Sequence, residues 1–357
     1  MRLGIIGLEA SGKTTVFNAL TGAQLETGTM AGRGRVDVHE ASVDVPDPRL
    51  EAVSEVFKPK KTTCAKVTYA DIGGMSIGAG SAGLPGPLVN QIEQMDGLLL
   101  VVRGFQDPSI PSALEDVDPA RDAAALDGEL LLSDMITVER RLDKLQEERQ
   151  KGGRDKAQVE REQAIFQRAM EHLNQEQPLR RMKLSTEDLA ALTGFGLLTL
   201  IPILIVVNLG EDQSFSDMGE IIAGVSALGL QGKLEMEIAQ LPGDQAAEFL
   251  VEYGIEVPGR ERVIRSSYDA LGLHSFFTGN EDEVRAWTLP RGGTCLDAAA
   301  TVHSDMARGF IRAEVINWEA LVSLGGLAEA RAQGRLRLEG KDSIVVDGDV
   351  IYIRFNV

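Results

Sequence analysis

Eight residues near the start of the chain, Gly7-Leu8-Glu9-Ala10-Ser11-Gly12-Lys13-Thr14, carry the spacing G-x-x-x-x-G-K-[ST]. In such a turn the backbone N–H groups converge on the α- and β-phosphates of a nucleotide. Lys13 brings a point charge between the β- and γ-phosphates, and Thr14 offers its hydroxyl to Mg²⁺ at a helix N-terminus, with Thr15 next in line. Downstream, Asp71-Ile72-Gly73-Gly74 has the spacing D-x-x-G. There a carboxylate reaches Mg²⁺ through water, and the N–H of Gly74 meets the γ-phosphate. Asn208-Leu209-Gly210-Glu211 and Ser226-Ala227 complete an ordered set of four, which is the order of a GTPase-type domain. Taken singly, each motif also has a plain structural reading: a tight glycine turn with a solvated lysine, an Asp-Gly turn, a polar strand end.

These side chains need a scaffold that brings distant segments to one edge. Leu3 to Ile6 is a short apolar run ending at glycine, and Val16, Phe17, Ala19 and Leu20 then follow a helical pattern, giving strand, loop and helix. Further apolar runs at Ala65 to Ala70, Leu98 to Val102 and Pro202 to Val207 suit strands of a mostly parallel sheet buried on both faces. From about Leu126 to Lys183 the chain is dense in Glu, Arg, Lys and Gln. Met135, Val138, Leu142 and Leu145, then Val159, Phe166, Met170 and Leu173, recur at helical spacing on either side of Gly152-Gly153. This predicts an antiparallel helical hairpin with an apolar seam. After about Ser275 short alternating stretches, among them Val350 to Phe355, predict strands of a small closing domain.

The chain's 357 residues allow two or three domains. A net charge of −18 disfavours general attraction to nucleic acid or anionic lipid, so any such contact must be local. Cys64 and Cys295 stand far apart, which speaks against a disulfide framework or a zinc site. The window Leu197 to Val207 is too short to span a bilayer, and the opening residues leave no room for a secretory signal. A cytoplasmic protein is the expectation, with no membrane partner and no sequence-specific DNA binding.

Together with Val45-Pro46-Asp47-Pro48-Arg49-Leu50, Lys58-Pro59-Lys60-Lys61, Val101-Val102-Arg103, Arg285-Ala286-Trp287-Thr288, Gly309 to Ile316 and Arg354-Phe355-Asn356-Val357, these motifs resemble the YchF subgroup of Obg-related P-loop NTPases over nearly the whole chain. The resemblance implies an α/β P-loop domain over 1–125 and 184–275, an inserted helical hairpin over 126–183, and a ubiquitin-like TGS domain over 276–357. It also implies Mg²⁺-dependent binding and hydrolysis of ATP, with GTP as the other nucleotide of the class, and the ribosome or its RNA or proteins as partner. Guanine-specific relatives use N-K-x-D, whereas here Leu209 and Glu211 stand at the lysine and aspartate positions. The longer side chain of Glu211 displaces the carboxylate that accepts from two guanine donors. The resemblance therefore makes Asn208, Leu209 and Glu211 base-contacting positions in a site not strictly selective for GTP.

One mark of the subgroup, a hydrophobic residue at Met75, and two departures from its pattern bear on hydrolysis. Met75 follows Gly74 where many GTPases have a water-positioning glutamine, so slow turnover is expected. Glu9-Ala10-Ser11 replaces the subgroup's P-N-V and sets a carboxylate in the phosphate loop. No threonine aligns with the switch position: Thr27 and Thr29 are candidates, and Arg33 and Arg35 are solvated or contact phosphate. His303-Ser304-Asp305 reads as structural, and Trp287 and Phe310 as core residues rather than RNA-stacking ones. The leading function is a nucleotide-dependent switch; the alternative is a nucleotide-binding scaffold with little or no hydrolysis.

Overall fold

The computed structural model describes residues 1–27, 38–73, 84–109, 116–151, 153–213, 217–252, 255 and 257–356. In chain order the strands are β1 (Arg2–Gly7), β2 (Val38–Asp44), β3 (Lys61–Thr63), β4 (Lys66–Ile72), β5 (Gly97–Arg103), β6 (Ile203–Asn208), β7 (Asp217–Ile222), β8 (Val225–Leu230), β9 (Leu273–Gly279), β10 (Glu283–Pro290), β11 (Phe310–Asn317), β12 (Arg337–Glu339) and β13 (Asp349–Phe355). The helices include α1 (Lys13–Thr21), α2 (Pro48–Phe57), α3 (Gly86–Ile92), α4 (Pro119–Lys151), α5 (Lys156–Asn174), α6 (Thr186–Leu192) and α7 (Gly232–Ala239). The chain divides into two compact units, Met1–Ala41 with Thr68–Val263, and Ser42–Val67 with Ile264–Val357.

The first unit is built on a seven-stranded sheet in the order β2-β4-β1-β5-β6-β8-β7. The run from β4 to β8 is parallel, and β7 is an antiparallel edge. Every residue of β5 and β6 is buried, which explains why those strands read as unbroken apolar runs: both of their faces are covered. Ile6, Ile72, Leu100 and Ile205 anchor one core on this sheet, and Ala123, Leu126 and Leu130 of α4 pack into it. The register sets Gly7 beside Val101, Arg103 beside Asn208 and Asn208 beside Leu230. β5, β6 and β8 thus end level with β1 stopping two residues short, and the loops that follow them share one edge, where ligands of open parallel sheets bind.

The helical hairpin consists of α4 and α5. The eight residues of the seam read from the sequence all fall in one cluster, with Val138, Leu145, Val159, Phe166 and Leu173 buried and Met135, Leu142 and Met170 packed against them. The helix begins at Pro119 rather than near Leu126. Ala120 to Leu126 is strongly helix-forming, and its apolar side lies on the sheet, so nothing interrupts the helix where composition changes.

The second unit holds a six-stranded sheet in the order β12-β11-β13-β9-β10-β3. Phe276, Leu289, Cys295, Ala298, Val315 and Ile351 form its core, with helix Cys295–Val302 on one face. It is the small ubiquitin-like α+β domain, with an addition: β3, from residues 42–67, pairs in parallel with β10. The sequence reading assigned 42–67 to the nucleotide domain, whereas here those residues join the second unit. Trp287 stacks on Phe276 and donates its Nε1–H to Thr278 Oγ1 at 2.9 Å, and Phe310 packs on the same core. His303 caps the helix Ser304–Arg308 by accepting from the Asp305 N–H.

Candidate functional site

The β1–α1 loop is shaped by two residues with left-handed backbones, Ala10 at φ 61° and Gly12 at φ 88°. A left-handed alanine costs roughly 1–2 kcal/mol, so the loop holds a strained turn against its own preference. At Gly12 a side chain is excluded on two counts, because the backbone is left-handed and a Cβ would run into the Asn208 amide. At Gly7 a Cβ would strike the Val101 carbonyl, so β1 and β5 approach as closely as they do only with glycine there.

Lys13 opens α1 and is buried, its Nζ donating to Leu8 O at 2.7 Å. Burial pushes its pKa down to about 8, with the charges of Asp71 and Glu9 opposing the fall. The next residue, Thr14, donates its hydroxyl to Asp71 Oδ2 at 2.8 Å. Asp71, near the end of β4, is buried, and its Oδ1 has no hydrogen-bond partner among the described residues. Burial raises its pKa, with Thr14, Lys13 and His39 pulling the other way. A buried carboxylate with one oxygen unmatched, held against a threonine hydroxyl, is a donor set that fits a hard divalent cation completed by water and phosphate oxygens.

Asn208, the last residue of β6, is buried and uses both ends of its amide. Nδ2 donates to Ser11 O at 3.1 Å, and Oδ1 accepts from the Gly232 N–H at 3.2 Å. It therefore ties the phosphate loop to the loop entering α7. Leu209 is buried in the sheet's core. Glu211 is exposed and forms an ion pair with Lys233 at 2.7 Å, while Gln231 Nε2 donates to the backbone oxygens of Glu211 and Gln213. Phe105, over whose ring Arg103 lies at 4.5 Å, stands beside both Gly12 and Gly210.

The structure thus gathers Gly7, Leu8, Glu9, Ala10, Ser11, Gly12, Lys13, Thr14, Asp71 and Asn208 at one edge, with Thr15 half-buried in the first turn of α1. It does not bring Ser226 and Ala227 there. Ala227 sits in the body of β8, buried and opposite Ile205, three residues short of the strand end. Ile221-Ile222, just before Ser226-Ala227, belong to the antiparallel edge β7, and Gly224 turns the chain back into β8. The place belongs to Gln231, Gly232 and Lys233. Their sequence signal is Q-G-K directly before an apolar helical run, and that of Phe105 is R-G-F after an all-apolar strand. Thr27 is exposed. Gly74, Met75, Thr29, Arg33 and Arg35 lie outside the described residues.

Among the described residues no three His, Cys, Asp or Glu side chains form a metal cluster, and no helix is long and apolar enough to cross a membrane. Both cysteines are free.

Residues 273–356 match the family model YchF-GTPase_C, described as a protein of unknown function (DUF933). The chain is similar to the "Ribosome-binding ATPase YchF" of Bacillus subtilis, at 39% identity over 99% of this chain and 99% of that protein. It is also similar to the protein of the same description from Escherichia coli O157:H7, at 35% identity over 100% and 99%. "Obg-like ATPase 1" of Oryza sativa is 32% identical over 100% of this chain and 92% of that protein. Among solved structures, the YchF GTPase of Schizosaccharomyces pombe superposes with a TM-score of 0.83 at 27% identity, covering 99% of this chain and 97% of the other.

Proposed function

The chain belongs to the YchF family of Obg-like P-loop nucleoside triphosphatases, and from that premise we propose that it is a cytoplasmic, ribosome-linked switch that binds ATP with Mg²⁺ and hydrolyses it slowly. What carries the reading is the joining of three strand ends in one constellation. Lys13 and the loop amides face a polyanion, Thr14 and Asp71 would hold Mg²⁺, and Asn208 braces the loop from the side of the base. Bound there, Mg²⁺ supplies charge neutralisation on the phosphates.

This chain's own residues do the rest. Glycine and alanine in left-handed geometry shape the turn whose backbone N–H groups would meet the phosphates, and the loop from Asn208 to Glu211 with Lys233 would present a carboxylate and an ammonium to a purine edge. Glu211 in place of aspartate, already engaged by Lys233, supports a relaxed base preference rather than strict guanine selection. The nucleotide-binding scaffold with little hydrolysis remains the second reading, favoured by Met75 at the position where a glutamine would orient water.

The deciding experiment is competition of ATP, GTP, ADP and GDP for the purified protein with and without Mg²⁺, followed by single-turnover hydrolysis with and without ribosomes. The switch reading expects Mg²⁺-dependent triphosphate binding with ATP at least as tight as GTP, and turnover raised by ribosomes. Binding of neither triphosphate would refute it, and tight binding with no turnover in either condition would leave the scaffold.

A further inference from the structure

We infer that Glu9 makes the phosphate loop discriminate between nucleoside diphosphates and triphosphates, by setting a negative charge at the end of the loop that a γ-phosphate would approach. This inference rests on the nucleotide site proposed above and concerns how that site weighs its ligands.

The placement of Glu9 follows from Lys13. Lys13 Nζ lies 2.7 Å from the Leu8 carbonyl oxygen, and that oxygen belongs to the peptide joining Leu8 to Glu9. The ammonium that such loops set between the β- and γ-phosphates is therefore a neighbour of Glu9's own backbone. Leu8 and Ser11 are buried while Glu9 and Ala10 are exposed, so the Glu9 residue lies on the solvent side of the loop. A carboxylate on the residue whose own peptide touches the ammonium acts, with repulsive sign, on an anion brought to that ammonium.

The effect should separate the ligands. A diphosphate ends at the β-phosphate, deeper under the loop amides, whereas a triphosphate adds charge beyond it, toward Glu9. For unit charges about 6 Å apart the repulsion corresponds to roughly threefold in affinity in the water-like limit, and more where the loop excludes solvent. Because Glu9 is exposed, added salt should weaken it.

The test is the pair of dissociation constants for Mg·ATP and Mg·ADP, measured by calorimetry on the full chain and on Glu9→Gln, with Glu9→Ala as a second variant that cannot hydrogen-bond. Both substitutions should tighten ATP by about three- to tenfold and ADP by much less, and the gain should shrink at high ionic strength. An ATP-to-ADP ratio equal to that of the unmodified chain would overturn the inference, as would equal tightening of both ligands. So would slower turnover at an unchanged ratio, which would make Glu9 a water-positioning group instead. Lys13→Ala run in parallel separates the levels: if it abolishes binding while Glu9→Gln leaves the ratio alone, only the role of Glu9 falls. If the unmodified chain binds neither nucleotide, the site itself falls and this inference with it.

Discussion

Lys13 shows how the site sets chemistry against stability at a single residue. Its pKa lies at about 8 against an ordinary 10.5, because the folded protein buries the ammonium. The folded state therefore holds its proton less firmly than the unfolded chain, so the burden on stability is fully present below pH 8 and lifts between about pH 8 and pH 10.5. A bound polyanion acts oppositely and favours the charged form. Affinity for nucleotide should be level up to about pH 8, then fall by up to about tenfold per unit as the free protein loses that proton. Calorimetry from pH 7.5 to 9.5 checks this, and a flat profile would contradict it. Replacing Lys13 with Met should abolish binding yet raise the melting midpoint at pH 7 by about 2–4 °C, since Leu8 O keeps a second donor in the Ser11 N–H. Lys13 and Thr14 were legible in the sequence because backbone conformation fixes where consecutive residues of a phosphate loop point, and Asp71 because it closes an apolar strand run just before two glycines. The bracing by Asn208 was not, because it depends on Gly232, whose distance in sequence only the sheet register closes.

Asp134 carries the corresponding argument for elements. It lies on α4, fully buried, and accepts from the Leu198 N–H at 2.7 Å, the Thr199 N–H at 2.8 Å and the Thr199 hydroxyl at 2.5 Å. The Thr199 hydroxyl in turn accepts from the Leu179 N–H at 3.0 Å. One carboxylate thus fastens the hairpin to the turn Leu198–Leu200, which leads straight into β6 and so to Asn208. Burial lifts its pKa to about 6 from 3.8, partly offset by the groups bonded to it. The folded state then binds a proton more readily than the unfolded chain between pH 6 and 3.8, so this group's share of stability increases as pH falls through that window. Asp134→Asn sets an amide donor against an N–H and should cost about 1–3 kcal/mol at pH 7. The difference in urea midpoint between the two proteins should widen on going from pH 6 to pH 4, and a constant gap would refute the assignment. The hairpin itself was readable from helical spacing, because an apolar seam is a local pattern. The clasp was not, since Asp134 in sequence is one more charge on a solvated-looking helix. The fourth motif was set on Ser226-Ala227 rather than at Gln231 for a related reason: Ile221-Ile222 and Val225 to Leu230 are both short and apolar, and only pairing tells an antiparallel edge from a parallel neighbour and shows where the latter ends.

At the scale of the whole molecule, the chain leaves the first unit at Ser42, builds α2 and β3 of the second, and returns at Thr68 within the strand that carries Asp71. The motif Asp47-Pro48-Arg49 secures that excursion. Asp47 caps α2, and its carboxylate grips Arg49 through two bonds of 2.8 Å. Arg49 also pairs with Asp347 at 2.9 Å and lies over the Phe277 ring at 5.7 Å, all within the second unit. These neighbours raise the guanidinium's already high pKa, so Arg49 stays charged at every working pH. The family model covers 273–356, yet the folding unit includes 42–67, because β3 covers the edge of β10 and Phe57 packs against Gly279. Sequence composition could not reveal this, since nothing in residues 42–67 marks them as belonging to strands more than two hundred residues away. A fragment of residues 264–357 alone should therefore leave the β10 edge unpaired and exchange its β9 and β10 amides much faster than the full chain does. Joining residues 42–67 to it through a flexible linker should restore protection, and Arg49→Ala in that joined fragment should remove about 1–3 kcal/mol of the stability regained. Equal exchange rates in the two fragments would mean that the small sheet stands without β3 on its edge, and that the excursion serves only to deliver the chain back to Asp71.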